Sequence, residues 1–217
     1  MKIKWLGHAS FLITSDTGTK IITDPYTPGI MGLNYGEIKE SADIVTVSHE
    51  HGDHNYAASI QGNPEVVKAA GTVAVKGITF NGIPTHHDDA GGSARGNNII
   101  FCFEVDRIKI CHLGDLGHPL SDKQAADIGD VDIVLTPVGG NFTIDAKAAT
   151  DVCNRLKPSV IMPMHYQNER CPTFAVAGVE GFIQGKEGVD RSDGSEVEFK
   201  QGELPATTKI IVLKPAM

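Results

Sequence analysis

A chain of 217 residues is long enough to bury a substantial core without disulfides or other cross-links. Its formal net charge of −8 opposes nonspecific binding to nucleic acid or to anionic membranes, because both carry negative charge. Its four cysteines form no CxxC pair, which argues against a zinc ribbon or a disulfide framework and favours reduced thiols. No segment has the apolar length of a membrane span, and no leader precedes the first strand pattern, so we expect a cytoplasmic protein.

The first part of the chain is rich in short strand patterns. Apolar and β-branched runs predict strands over 2–6, 9–14, 20–23 and 43–48. Proline and glycine punctuate the segment 24–33, which is predicted to be a long loop. A short helix is predicted over 55–60, followed by strands over 72–75 and 78–80.

The second part alternates strands with helices. A glycine-rich loop over 88–97 precedes two strands that are joined by a tight turn at Asp106-Arg107. Strands are predicted over 98–105, 108–113, 132–137, 159–164, 196–199 and 209–213, and helices over 121–128, 144–156 and 174–183. No repeat, low-complexity tract or linker divides the chain, so we expect residues 1–217 to form a single domain.

The most informative stretch follows the predicted strand 43–48 and is His49-Glu50-His51-Gly52-Asp53-His54. In an extended chain, residues i and i+2 face the same way, so His49 and His51 can share one metal ion. Gly52 permits a bend that directs Asp53 and His54 toward a second position. A lone histidine here would most simply face solvent, but four potential ligands at this spacing favour a metal site. We therefore expect this loop to supply ligands to two metal ions.

Histidines and acids recur directly after other predicted strands, at His86-His87-Asp88, His112 to Asp115, His118 and His165-Tyr166. Strands of one sheet edge bring such loops together, so these residues can complete a coordination shell begun by residues 49–54. Two ions about 3.5–4 Å apart can hold a bridging hydroxide with a pKa near 7, which is a nucleophile in neutral solution. Histidine and carboxylate ligands suit Zn²⁺, with Mn²⁺ or Fe²⁺ as alternatives.

The motif at residues 49–54 resembles the HxHxDH signature of the metallo-β-lactamase superfamily, and the superfamily's later motifs match His87, Asp115 and His165. The resemblance implies an α/β fold, a four-layer αβ/βα sandwich, that covers residues 1–217 and carries its site along one edge. It also implies two ligand sets, namely His49, His51 and His87 for one ion and Asp53, His54 and His165 for the other, with Asp115 bridging.

Two finer points follow from the resemblance. Of the adjacent residues His86 and His87, we take His87 as the ligand because Asp88 follows it in the family-like pattern. The stretches Trp5–Ser10 and His112–Gly117 are similar to a branch of metal-dependent hydrolases related to the L-ascorbate-6-phosphate lactonases.

The activity implied by the resemblance is metal-dependent hydrolysis of a small ester, lactone or phosphoester, with Asp53 and Asp115 as the catalytic carboxylates. The absence of a large insertion after Asp115 disfavours the nucleic-acid-processing members. The alternatives are a phosphodiesterase or nuclease, and a noncatalytic metal-binding protein of the same fold. We expect a small-molecule substrate and neither nucleic acid nor membrane as a partner; a homo-oligomer is compatible with the sequence.

Three further residues are candidates for substrate contact. His8 follows a glycine at a strand-to-strand turn and can contact substrate or make a structural hydrogen bond. Arg95, in the glycine-rich loop, can pair with an anionic group of the substrate or simply lie at the surface. Tyr166, next to His165, can assist an oxyanion or only pack.

Overall fold

The computed structural model describes residues 1–217 and contains two β-sheets. The strands are, in chain order, β1 (Lys2–Gly7), β2 (Ser10–Thr14), β3 (Lys20–Thr23), β4 (Ile44–Thr46), β5 (Glu65–Val67), β6 (Gly71–Val75), β7 (Ile78–His86), β8 (Asn97–Val105), β9 (Ile108–His112), β10 (Ile133–Pro137), β11 (Val160–Met164), β12 (Val189–Arg191), β13 (Glu196–Glu198) and β14 (Lys209–Val212). The six-stranded sheet has the order β13-β1-β2-β3-β4-β5, and the eight-stranded sheet has the order β12-β14-β11-β10-β9-β8-β7-β6.

The central strands of the six-stranded sheet are buried on both faces. Ile21 and Ile44 belong to a large core that is shared with the eight-stranded sheet, whereas their neighbours Ile22 and Val45 belong to a second, smaller core. Successive side chains of a strand point to opposite faces, so the sheet lies between the two cores. Loop residues such as Tyr26 complete the smaller core.

Helices cover the other side of the eight-stranded sheet. They are α1 (Asp122–Ile128), α2 (Ala146–Leu156) and α3 (Glu180–Ile183). Helix α1 contacts β7, and α2 contacts both β10 and α3. Ser121 begins α1 with a capping box, and the Asp145 carboxylate caps α2 by accepting the Ala148 N–H, so both helices start at side chains that satisfy free N–H groups.

The predicted α/β sandwich is confirmed, with one difference in its outer layers. The six-stranded sheet is covered by loops and by 3-10 turns at Ile30–Gly32 and Ala57–Ser59, and it carries no α-helix there. The second of these turns lies where a short helix was predicted over 55–60. None of the helices combines the length and the apolar character needed to cross a membrane.

The helix predicted over 174–183 is wrong over most of its length, since only Glu180–Ile183 is helical. Phe174 and Val176 are instead buried in the smaller core, and the Ala177 N–H donates to the Gly139 carbonyl. These contacts hold the segment against neighbouring loops. Strands β5 and β12 were not predicted; each has only three residues, and these are mostly exposed, so neither carries a strong apolar pattern.

The fold brings the carboxyl ends of several strands to one edge. Strands β1, β3 and β4 run in one direction in their sheet, and β7, β9 and β11 share a direction in theirs. The residues that follow these strands are His8 after β1, Asp24 after β3, residues 49–54 after β4, His87 after β7, Asp115 after β9 and His165 after β11.

Candidate metal centre

The carboxylate of Asp115 lies at the centre of the site. Its Oδ2 is 3.2 Å from Nε2 of both His54 and His87, 3.3 Å from Nε2 of His165 and 3.9 Å from Nε2 of His49. All five side chains are buried. One buried carboxylate therefore faces four imidazoles that come from three separate loops.

The potential ligand atoms form three groups, in each of which the atoms lie within 4.8 Å of one another. The first group is His49, His51 and His87, the second is His8, Asp53, His54 and His165, and the third, which shares a histidine with each of the others, is Asp24, His49 and His54. The structure thus brings together both predicted ligand sets and places Asp115 next to each of them.

The donor set fits a bound divalent cation. Nε2 of His49, Nε2 of His54 and Oδ1 of Asp115 are buried without a hydrogen-bond partner, and such atoms are costly unless something compensates them. Two ligands of a tetrahedral zinc ion, each about 2.0–2.1 Å from the metal, lie about 3.3 Å apart. The separations between Asp115 Oδ2 and the Nε2 atoms of His54, His87 and His165 are close to this value.

Asp24 orients two of these histidines. Its Oδ1 accepts the Ser48 N–H at 2.8 Å, and its Oδ2 accepts Nδ1–H of His54 at 2.9 Å and the Ser48 hydroxyl at 2.5 Å. Because the Ser48 hydroxyl donates its proton to Asp24, its oxygen accepts the hydrogen bond from Nδ1–H of His49 at 2.9 Å. This network assigns the protons to Nδ1 and leaves both Nε2 atoms free to bind a metal.

Asn98 and Gly114 position the Asp115 loop. The Asn98 amide oxygen accepts the Asp115 N–H at 2.9 Å, and its nitrogen donates to the Leu113 carbonyl at 3.0 Å. Gly114 has a φ of 55°, and an added Cβ would lie 2.3 Å from Asn98 Oδ1 and 2.6 Å from Ser48 Cβ. Glycine therefore lets this loop approach the loop that carries the histidine motif.

The His8 side chain contacts the carboxylate of Asp53. Burial lowers the pKa of His8 to about 4, so the ring is neutral at neutral pH, and its Nε2 lies 3.2 Å from Asp53 Oδ2. The His8 carbonyl in turn accepts the His165 N–H at 3.2 Å. Both His8 and His165 have a φ of 52°, a left-handed conformation that is uncommon outside glycine and is often found at functional sites.

The centre contains three buried carboxylates, those of Asp24, Asp53 and Asp115. Burial acts to raise the pKa values of Asp24, Asp53 and Asp115, but neighbouring histidines outweigh it and hold all three below their ordinary value. Burial acts to lower the pKa of His54, but Asp115 and Asp53 raise it well above its usual range. Three buried carboxylates in one cluster bring together negative charge that a divalent cation would offset.

A cavity of about 240 Å³ opens onto the centre. Its lining consists of His51, Gly52, Asp53, His87, Asp115 and His165 together with Met31, Arg95, Phe142 and Phe174. A larger cavity of about 390 Å³, lined in part by Cys153 and Lys186, contains none of the predicted site residues.

Two of the residues considered from the sequence lie away from the centre. His86 is half-buried, and its Nδ1 lies 3.3 Å from Asn97 Oδ1, so its ring turns away from Asp115. Tyr166 is buried with its ring centre 5.3 Å from that of Trp5, and it does not line the cavity. The position of Tyr166 therefore corresponds to packing and does not bring the hydroxyl to the cavity.

Asp24 and Asn98 were not predicted from the sequence to belong to the site. A usable signal existed for Asp24, because Asp24-Pro25 directly follows the predicted strand 20–23, in the same order of strand and acid that drew attention to Asp115. Asn98 carried no such signal, since it begins an apolar run typical of a strand.

A family model for the β-lactamase superfamily domain matches residues 2–165, which include every residue of the centre described above. Fold and site thus define a protein of the metallo-β-lactamase superfamily.

Proteins with higher sequence identity identify the family within this superfamily. A UPF0173 metal-dependent hydrolase of Carboxydothermus hydrogenoformans is 32% identical over 192 residues, covering 76% of this chain and 84% of the relative. A protein of the same description from Pelotomaculum thermopropionicum is 31% identical over 196 residues, with the same coverage of 76% and 84%. A crystal structure from Thermotoga maritima, of a protein assigned as a zinc-dependent hydrolase of this superfamily, is 37% identical with a TM-score of 0.81, covering 98% and 97% of the two chains. This chain belongs to the UPF0173 family of metal-dependent hydrolases.

Proposed function

We propose that this protein hydrolyses an ester, lactone or phosphoester bond of a small molecule at a centre of two divalent metal ions, with Zn²⁺ as the first choice. The observation that carries the proposal is the position of Asp115, whose Oδ2 lies within 3.3 Å of three imidazoles beside an open cavity. A structural zinc site is closed by four ligands, whereas this centre offers more donors than that and faces a cavity.

The two ions would be held by His49, His51 and His87 and by Asp53, His54 and His165, with Asp115 between them. When bound, such ions polarise the substrate oxygen and lower the pKa of water to about 7. Asp53 lines the cavity with an ionised carboxylate, so it can accept a hydrogen bond from the attacking water and orient it. His8 keeps that carboxylate in place through its contact of 3.2 Å with Oδ2.

The size of the cavity and the charge of the protein limit the substrate. A volume of about 240 Å³ is below the roughly 300–1,000 Å³ typical of sites for drug-sized ligands, which favours a small molecule. The net charge of −8 also opposes the binding of nucleic acid.

The similarity of Trp5–Ser10 and His112–Gly117 to the L-ascorbate-6-phosphate lactonase branch supports a lactone or ester among the candidate bonds. Four unpaired thiols support a reducing compartment such as the cytoplasm.

Metal-depleted protein, reconstituted with zinc or manganese, should hydrolyse phenyl acetate, δ-valerolactone or p-nitrophenyl phosphate and lose that activity on chelation. The Glu50→Gln variant is a matched control, because Glu50 lies inside the histidine motif but is exposed and paired with Lys68. It should keep wild-type activity. Turnover of bis-p-nitrophenyl phosphate alone would indicate a phosphodiesterase, and bound metal without any turnover would indicate a noncatalytic protein.

A further inference from the structure

Arg95 lines the cavity without an acidic partner. Its Nη2 donates to the Asn141 carbonyl at 3.2 Å, and its Cζ lies 4.8 Å from the centre of the Phe142 ring. No carboxylate lies within ion-pair distance of the guanidinium, in contrast to Arg155 and Arg191, which pair with acids. A guanidinium has five N–H donors, so most of those on Arg95 remain available to a ligand.

The loop fixes the backbone from which Arg95 projects. The Asp88 carboxylate accepts the N–H groups of Ala90, Gly92, Ala94 and Arg95. Burial acts to raise the pKa of Asp88, but these four bonds outweigh it and lower the pKa to about 2. The Asp88 carboxylate is thus occupied by backbone N–H groups and forms no ion pair with the Arg95 guanidinium.

Arg95 ends a row of side chains that begins at the metal centre. The Phe174 ring centre is 5.4 Å from that of His165, and the Phe142 ring stacks on Phe174 at 5.3 Å. The Arg95 guanidinium covers the next position, over Phe142. Two aromatic rings therefore separate the cation from the proposed ligand His165, and all four side chains line the same cavity.

We infer that the substrate is a small ester or lactone that carries a separate carboxylate or phosphate, which pairs with Arg95 while the apolar part of the substrate lies against Phe142 and Phe174. Arginine binds both kinds of anion through paired N–H donors. Arg95 belongs to neither proposed ligand set, so we assign the anion that it pairs with to substrate recognition and the bond that is cleaved to the metal centre. This inference rests on the proposed hydrolase function and names its substrate class.

Turnover tests the inference with 4-acetoxybenzoate and its methyl ester, which carry a carboxylate and an uncharged group at the same position, and release of acetate reports cleavage of the acetyl ester that they share. In wild-type protein, kcat/KM for the carboxylate should exceed that for the methyl ester by roughly 10- to 100-fold, the scale of a hydrogen-bonded charged group. Arg95→Gln should reduce this preference to less than about twofold, and Arg95→Lys should leave it intermediate because the fork geometry is lost. Arg107→Gln removes the same charge from the β8–β9 turn and should retain the full preference.

Binding separates this inference from the hydrolase proposal. Benzoate, phenyl phosphate and neutral benzamide are titrated calorimetrically into zinc-loaded protein. Benzoate or phenyl phosphate should bind at least about 10-fold more weakly to Arg95→Gln than to wild type, and the stronger of the two identifies the recognition group. If the anions bind wild type and Arg95→Gln equally, or do not bind wild type, the inference is overturned. Arg95-dependent binding without turnover of any ester, lactone or phosphoester would instead refute the hydrolase proposal alone.

Discussion

Replacing Asp115 with asparagine is expected to weaken zinc binding by more than about 100-fold, beyond the 10- to 100-fold typical of a residue that only supports a ligand. The reason is the position of Asp115 Oδ2, which lies within 3.3 Å of Nε2 of His54, His87 and His165. Asparagine keeps the shape of the side chain but removes its negative charge. The rate of hydrolysis should fall as bound zinc is lost.

Competition with a zinc-binding dye measures this affinity, and circular dichroism shows whether the variant is folded. Asp132→Asn serves as the control, because Asp132 accepts the Lys109 N–H at the opposite end of β9 and takes no part in the centre. Its zinc affinity should match that of wild type. A folded Asp115→Asn protein with wild-type zinc affinity would show that Asp115 is not a ligand.

The adjacent histidines provide a second test with a large expected effect. His87→Ala should lose a metal ion and at least about 100-fold in activity, because its Nε2 lies 3.2 Å from Asp115 Oδ2 and it belongs to the group with His49 and His51. His86→Ala should keep both ions and the activity, since the His86 ring contacts Asn97 and His118 outside the centre.

Metal content per chain and kcat/KM are compared for the two variants under the same loading conditions. His86→Ala should change the free energy of unfolding by about 0.5 kcal/mol or less, because His86 is half-buried and its ring lies outside the centre. Loss of metal from His86→Ala together with full loading of His87→Ala would reverse the assignment of the ligand.

Local sequence pattern was sufficient to predict most of the fold. Runs such as 132–137 and 159–164 are apolar and β-branched and form the buried strands β10 and β11. The segment 174–183 has equally apolar residues, but Phe174 and Val176 enter the smaller core and the Ala177 N–H bonds to Gly139. These partners are distant in sequence, so no local pattern predicted that tertiary contacts would override the helix.

The candidate site was predictable where ligand type and strand position coincide. Imidazoles and acids that follow strands are visible in the sequence, and the fold places His49, His87 and His165 around Asp115. The direction in which each side chain points was harder to predict. Adjacent residues of a strand face opposite ways, so strand periodicity alone could not choose between His86 and His87.

Supporting contacts were the least predictable part. Asp24 acts through Ser48 and His54, and Arg95 reaches the cavity because Asn141 and Phe142 hold its guanidinium. Each of these contacts joins residues that are 24 to 47 positions apart. Such pairings depend on the packing of loops from different strands, which strand and helix patterns do not specify.

The most direct measurement of the proposed centre is the metal content of purified wild-type protein by elemental analysis, after loading with zinc or manganese and removal of unbound ions. The arrangement of two donor groups around Asp115 predicts close to two ions per chain. One ion or none, even after loading, would contradict the two-metal centre and with it the proposed roles of Asp53 and Asp115.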